Sequence, residues 1–123
     1  CIGVFTVAKD YSGNNFAFTI PDKDVIFHRI SKLDFLGTNY KNKKGCTYLL
    51  EITFNPKNKL DVKSDKVFEK CVEGLKKIKF IRSKKEILSN TFKTFSHAYV
   101  VYDLNHKKNT NFIKKFLNTF QYQ

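Results

Sequence analysis

The fold of this chain is decided by residues 20–30, which read IPDKDVIFHRI. The preceding apolar run ends in a Pro-Asp turn, and a second apolar run, 25–31, follows it. Proline and aspartate both favour turns, and a connection this short joins antiparallel neighbours. The stretch therefore predicts two antiparallel strands, 16–20 and 25–31, with a turn at 21–24.

Arg29 is unusual within this stretch, because only two of the 23 basic residues are arginines and this one stands among apolar neighbours. A guanidinium is a rigid five-donor fork that suits a carboxylate or a phosphate, and burying it costs free energy unless it is paired. One interpretation is therefore an anion-binding arginine. The other is an edge-strand arginine whose stem packs while its head stays in water.

The rest of the chain extends the hairpin into an antiparallel sheet. Residues 46–54 alternate, with one face predicted to be covered and the other partly covered: Tyr48, Leu50, Ile52 and Phe54 against Thr47, Leu49, Glu51 and Thr53. Further strands are predicted over 1–9 and 86–95, and 32–45 is predicted to be a polar loop. With two helices, the order is β-β-β-β-α-β-α, which is typical of the α+β class.

Both predicted helices carry an apolar stripe at 3.6-residue spacing, so both are expected to pack on the sheet. The first, near 65–79, begins at a cap provided by Ser64 or Asp65; its stripe is Val67, Phe68, Cys71, Val72, Leu75 and Ile78. The second, near 107–119, carries Phe112, Ile113, Phe116, Leu117 and Phe120. Its lysines would also suit a membrane surface, although packing on a sheet is the commoner use of such a stripe.

Length and composition indicate one globular domain, residues 1–123, with 41% hydrophobic and 15% aromatic residues. No apolar run approaches the roughly 20 residues that span a bilayer, and nothing resembles a signal peptide, so we expect a cytoplasmic protein. The chain lacks methionine and begins at Cys1, directly before a predicted strand. We therefore expect a piece of a longer protein; a lipoprotein, whose mature form begins at cysteine, is the alternative.

The net charge of +12 raises the alternative of a small basic nucleic-acid-binding module. In that case aromatic residues of the strands would stack on bases while scattered lysines met phosphates: Phe16, Phe18, Tyr48 and Phe54. Against it, the cations are almost all lysines scattered through turns and helix faces, whereas base readout favours arginine. We interpret the charge mainly as background that favours an anionic small molecule.

Recognised catalytic and metal-binding motifs are missing from the sequence. The three cysteines form no Cys-x-x-Cys pair and no histidine stands at a ligand spacing, so no metal site is expected; Cys46 and Cys71 are predicted to be buried free thiols. There is no Gly-x-Gly-x-x-Gly, Walker A or Gly-x-Ser-x-Gly motif. Asp22 and Asp24 are expected to bond backbone amides, and Glu51 to meet solvent or an ion pair rather than to catalyse. The chain alone is therefore expected to be inactive.

Four landmarks in order resemble UDP-galactopyranose mutases of the eukaryotic type and the related amine-oxidase-like or protoporphyrinogen-oxidase-like flavoproteins of surface-polysaccharide loci. They are Ile20-Pro21 through Phe27-His28-Arg29, Leu49–Ile52, Cys71–Leu75 and His97-Ala98-Tyr99. Thr19 and Ala17 stand where the mutases have tyrosine and tryptophan, and Val100 stands where they have proline. The resemblance therefore points to the family more than to the mutase reaction.

The resemblance implies that this chain is the substrate-binding insert of a larger FAD-dependent enzyme acting on a nucleotide sugar in surface-polysaccharide (lipopolysaccharide) biosynthesis. FAD would belong to the intact parent, and this fragment is expected to bind none. Arg29 matches the arginine, and Tyr99 the tyrosine, that hold the nucleotide diphosphate in the mutases. His28, by strand alternation, is expected on the face opposite Arg29 and should tolerate asparagine.

Overall fold

The computed structural model describes residues 1–37, 45–54, 65–96, 98–99 and 102–120. Within these ranges the chain forms five strands and two α-helices: β1 (Ile2–Val7), β2 (Ala17–Thr19), β3 (Arg29–Lys32), β4 (Cys46–Glu51), α1 (Asp65–Lys77), β5 (Ile87–Lys93) and α2 (His106–Leu117). The strands form one sheet in the order β2-β3-β4-β1-β5, in which every neighbouring pair is antiparallel. The predicted α+β class with an antiparallel sheet is confirmed.

The predicted pairing of the two strands around the Pro-Asp turn is confirmed, but the second strand begins four residues later than expected. β2 pairs with β3 from Thr19 opposite Arg29 to Ala17 opposite Ser31. The residues before Arg29 leave the ladder because Val25 and Phe27 are buried beneath α1 instead. A methyl group added at Gly74 of α1 would lie only 2.8 Å from the Phe27 ring, so the glycine permits this close packing.

The core lies between one face of the sheet and α1, and we call this side of the sheet the core face. Phe5 and Val7 of β1 and Tyr48 and Leu50 of β4 are fully buried there, while the residues between them are partly exposed. The predicted alternation of 46–54 is therefore confirmed. The opposite side, which carries Arg29 and Glu51, is called the open face.

Helix α1 forms as predicted and packs on the core face. Five of its residues are buried, four of them from the predicted stripe: Val67, Cys71, Val72, Gly74 and Leu75. It begins at Asp65; Ser64, the other predicted cap, lies outside the described residues. The three cysteines are free and buried, as predicted for Cys46 and Cys71, and burial raises the pKa of both thiols to about 12.

Helix α2 forms near its predicted position, but the prediction that it packs on the sheet is wrong. None of its residues is buried. Phe112, Phe116 and Phe120 are exposed by 74%, 57% and 54%. The 3.6-residue period indicates a helix with one apolar side and does not say what covers that side.

Smaller differences concern the connections. The predicted loop after β3 opens with a 3₁₀ turn, Leu33–Leu36, and another such turn, Lys84–Glu86, precedes β5. Asp22 accepts the backbone amide of Asp24 as predicted, and both carboxylates also pair with Lys77. The landmark His97 and the position Val100 lie outside the described residues.

Candidate anion-binding site

The open face of the sheet places Arg29 directly opposite Glu51 across the β3–β4 pair. Their neighbours Ile30 and Leu50 are fully buried in the core. Since successive side chains of a strand point to opposite faces, Arg29 and Glu51 both project from the side that α1 does not cover. The sheet register therefore creates a cation–carboxylate pair on an accessible surface.

Three donor side chains converge on the Glu51 carboxylate. The Arg29 Nε atom lies 3.6 Å from Oε1, and the His28 Nε2 atom lies 3.9 Å from Oε2. The Tyr99 hydroxyl donates a hydrogen bond to Oε2. We call these four residues the Glu51 cluster. The Glu51 side chain is 17% exposed, whereas those of His28 and Arg29 are each 44% exposed, so the donors and not the acceptor face the solvent.

The two residues that the resemblance singled out, Arg29 and Tyr99, therefore meet at one carboxylate although 70 positions separate them in the sequence. Tyr99 arrives from the segment that follows β5, and its ring lies edge-on to the His28 imidazole at 6.3 Å. Arg29 is not sealed in an internal ion pair, because its contact with Glu51 is long and its side chain remains half-exposed. Both residues stand on the same side of the sheet.

His28 belongs to this cluster, and the prediction that it faces away from Arg29 is wrong. It lies at a bend just before β3, so the strict alternation of a strand does not apply to it. Its amide donates to the Glu51 carbonyl at 3.0 Å, and its own carbonyl accepts from Ile20 at 2.8 Å. The imidazole Nδ1 lies 3.4 Å from the Thr53 hydroxyl, which leaves Nε2 turned toward Glu51.

Sequence reasoning treated Glu51 as solvent-facing or paired, and the ion pair is confirmed. What it missed is that Glu51 gathers three donors from two distant parts of the chain, residues 28–29 and Tyr99. The available signal was an acidic residue in the middle of an alternating apolar strand, opposite an arginine in the neighbouring strand. Without the register, that signal does not identify which residues meet.

A second polar group occupies the other end of the same strands, and we call it the Asp10 network: Asp10, Ser12, Lys32 and Tyr48. The Lys32 ammonium pairs with Asp10 and donates to the Gly13 carbonyl at 2.6 Å. Asp10 also accepts from the Ser12 hydroxyl at 2.6 Å and from the Tyr48 hydroxyl at 3.0 Å. The Lys32 side chain is only 6% exposed, so the ammonium of this network is closed to ligands.

The pKa of Asp10 records how well this network is paired. Partial burial by itself raises the pKa of a carboxyl group, but hydrogen bonds from Lys32, Ser12 and Tyr48 outweigh it and lower the pKa to about 2. Burial also raises the pKa of the Tyr48 hydroxyl, which stays protonated as a donor. The network therefore holds a permanent carboxylate and serves the fold.

The second arginine of the chain offers a natural contrast to Arg29. The Arg82 guanidinium lies over the Tyr11 ring, 4.8 Å from its centroid, and the Tyr11 hydroxyl donates to Glu86 at 3.2 Å. This group shares an arginine, a tyrosine and a glutamate with the Glu51 cluster, but the carboxylate of Glu86 accepts from the backbone amide of Arg82 and not from its guanidinium. It supplies a matched control for experiments on Arg29.

Metal-ligand clusters and membrane-spanning helices are both absent from the described residues. No group of three or more metal-ligating side chains occurs in these ranges, and none of their helices is both long and apolar enough to cross a bilayer. The sheet is antiparallel and the five glycines of the sequence are isolated, so the described part of the chain contains no strand–glycine turn–helix of the kind that cradles a dinucleotide.

Base stacking requires a set of exposed aromatic rings, and the aromatic residues of the alternative nucleic-acid interface do not meet this requirement. Tyr48 is fully buried, and the Phe18 ring packs edge-on against Phe80 at 4.9 Å. Phe16 is 42% exposed but packs against Phe35. These rings form no continuous exposed platform, so the structure does not favour this alternative.

No protein-family model matches the chain, and no curated protein or solved structure matches it either.

Proposed function

We propose that this chain is the substrate-binding domain of a larger FAD-dependent enzyme, and that the Glu51 cluster binds the diphosphate of a nucleotide sugar used in surface-polysaccharide synthesis. The observation that carries the binding proposal is the convergence of Arg29 and Tyr99 on one carboxylate. A side chain that attracts a carboxylate from its own sheet has the donors and the charge to attract a phosphate from a ligand.

The chemistry of the two residues supports a diphosphate in particular. The contact with Glu51 is made at Nε of Arg29, and a guanidinium has four further N–H donors in a planar fork that can meet two phosphate oxygens. The phenolic hydroxyl of Tyr99 adds a neutral donor next to it. The positive net charge of the whole chain raises the local concentration of an anionic ligand.

The flavin and the reaction belong, in this proposal, to the remainder of the parent protein. The resemblance through Arg29 and Tyr99 supports the family, and the antiparallel sheet agrees with a substrate domain inserted between other parts of such an enzyme. The domain would position the nucleotide sugar, while the cofactor would supply the chemistry.

The test is to replace Arg29 in the parent enzyme and to measure substrate binding. Because charge-assisted hydrogen bonds contribute roughly 1.5–3 kcal/mol each, Arg29→Ala should weaken binding by about one to three orders of magnitude without loss of folding. Arg29→Lys should restore only part of the affinity, since an ammonium cannot make the bidentate contact. Arg82→Ala, the matched control, should bind as the wild type does. Equal effects of the two alanine variants would contradict the proposal.

A further inference from the structure

The Glu51 cluster contains a carboxylate at the place where three donors point. The neighbours His28 and Arg29 and the distant Tyr99 approach it, and all three are far more exposed than Glu51 itself. A carboxylate and a phosphate present similar pairs of oxygens to such donors. The arrangement is therefore that of an anion site whose acceptor comes from the protein.

We propose that Glu51 is a resident anion that the ligand's phosphate displaces, and that His28 is a third binding residue beside Arg29 and Tyr99. This inference rests on the proposed function, since it concerns how the same site takes a diphosphate. In the free protein Glu51 balances the charge of Arg29 and holds the three donors together. On binding, a phosphate group takes its place, and the Glu51 side chain turns toward solvent.

The geometry favours displacement over a permanent structural pair. The contacts of Arg29 and His28 with Glu51 are long, 3.6 and 3.9 Å, and exposed ion pairs of this kind contribute little to stability. The Asp10 network shows the opposite arrangement, in which Lys32 is almost wholly buried and every partner is within hydrogen-bonding distance. Glu51 keeps one hydrogen bond, from the Tyr99 hydroxyl, but its contacts with Arg29 and His28 are long, so its carboxylate can yield to a dianion.

A purely orienting role for Glu51 makes the opposite prediction about affinity. If Glu51 only fixed Arg29 in place, its removal would weaken anion binding. If it competes with the ligand, its neutralisation should strengthen binding, because a carboxylate within a few ångströms of a phosphate repels it. The sign of the change therefore decides between the two roles.

The experiment measures inorganic pyrophosphate binding to the 123-residue chain by isothermal titration calorimetry. Glu51→Gln keeps the shape and a hydrogen-bond acceptor but removes the charge, and we expect pyrophosphate to bind about ten-fold tighter than to the wild type. Glu86→Gln, the same change beside Arg82, should leave the affinity unchanged. Adding Arg29→Ala to Glu51→Gln should abolish the gain, and adding His28→Asn should remove a large part of it. Unfolding midpoints check that each variant is folded.

The possible failures are distinguishable. If a folded Glu51→Gln variant binds pyrophosphate no more tightly than the wild type does, or does not bind it, the displacement is overturned. In that case, weaker binding by Arg29→Ala than by the wild type would still support the proposed function. If the gain survives His28→Asn in full, His28 is not a binding residue. If Arg29→Ala changes nothing in either background, the proposed function fails together with this inference.

Discussion

Strand β3 begins with Arg29 and ends with Lys32, and the two cations have opposite surroundings. Arg29 pairs with Glu51 on the open face and its side chain is 44% exposed. Lys32, three residues later, points to the core face beside Tyr48, and its side chain is 6% exposed. One short strand thus supplies a basic residue to an accessible cluster and another to a sealed network.

The difference shows what makes a charged residue structural. Lys32 has almost no access to water, so Asp10 and the Gly13 carbonyl must satisfy its ammonium, and its pairing is part of the fold. Arg29 keeps its solvation and loses little when Glu51 moves away. Sequence type alone does not separate these roles, whereas the face of the strand does.

The largest expected effect is a loss of folding stability when the Asp10 network is disrupted. Lys32→Ala removes a buried side chain together with its hydrogen bonds to Asp10 and the Gly13 carbonyl, and should lower the free energy of unfolding by about 2–3 kcal/mol, since hydrogen bonds to charged groups contribute roughly 1.5–3 kcal/mol each. Urea unfolding followed by circular dichroism measures this. Arg29→Ala, the corresponding change in the Glu51 cluster, should lower the free energy of unfolding by less than about 1 kcal/mol. Equal losses of stability in the two variants would contradict the distinction between the Asp10 network and the Glu51 cluster.

A smaller effect should appear in acid. The pKa of Asp10 falls from its usual 3.8 to about 2 on folding, so its contribution is fully present above pH 4 and is lost as the pH falls through 2. At most about 2 kcal/mol depends on this group. Urea unfolding at several pH values should therefore show a steeper acid loss in the wild type than in Asp10→Asn. Parallel curves would show that Asp10 is not held as a carboxylate by its network.

Much of the fold could be predicted because periodicity reports local structure directly. The alternation around Tyr48 and the stripe around Leu75 both gave the correct element and the correct buried side. The start of β3 was predicted too early because Val25 and Phe27 are apolar residues that pack against α1 and do not belong to a strand. The exposed stripe of α2 was missed because a period cannot identify a partner.

The site was less predictable, for a geometric reason. Arg29 and Tyr99 were named from a resemblance, and no spacing in the sequence indicates that they meet. Their meeting depends on the register that sets Glu51 opposite Arg29, and on a bend that turns His28 to the same carboxylate. Register and bends arise from packing across the whole sheet, which a local pattern does not contain.

The central claim is that the Glu51 cluster binds a diphosphate. Its most direct test is a titration of the ¹⁵N-labelled chain with uridine diphosphate. The two arginines give two Nε–H signals, which Arg82→Lys assigns, so the site and its control are observed in one spectrum. The account predicts that the Arg29 signal shifts progressively to saturation while the Arg82 signal stays in place. Movement of both signals alike, or of neither, would contradict it.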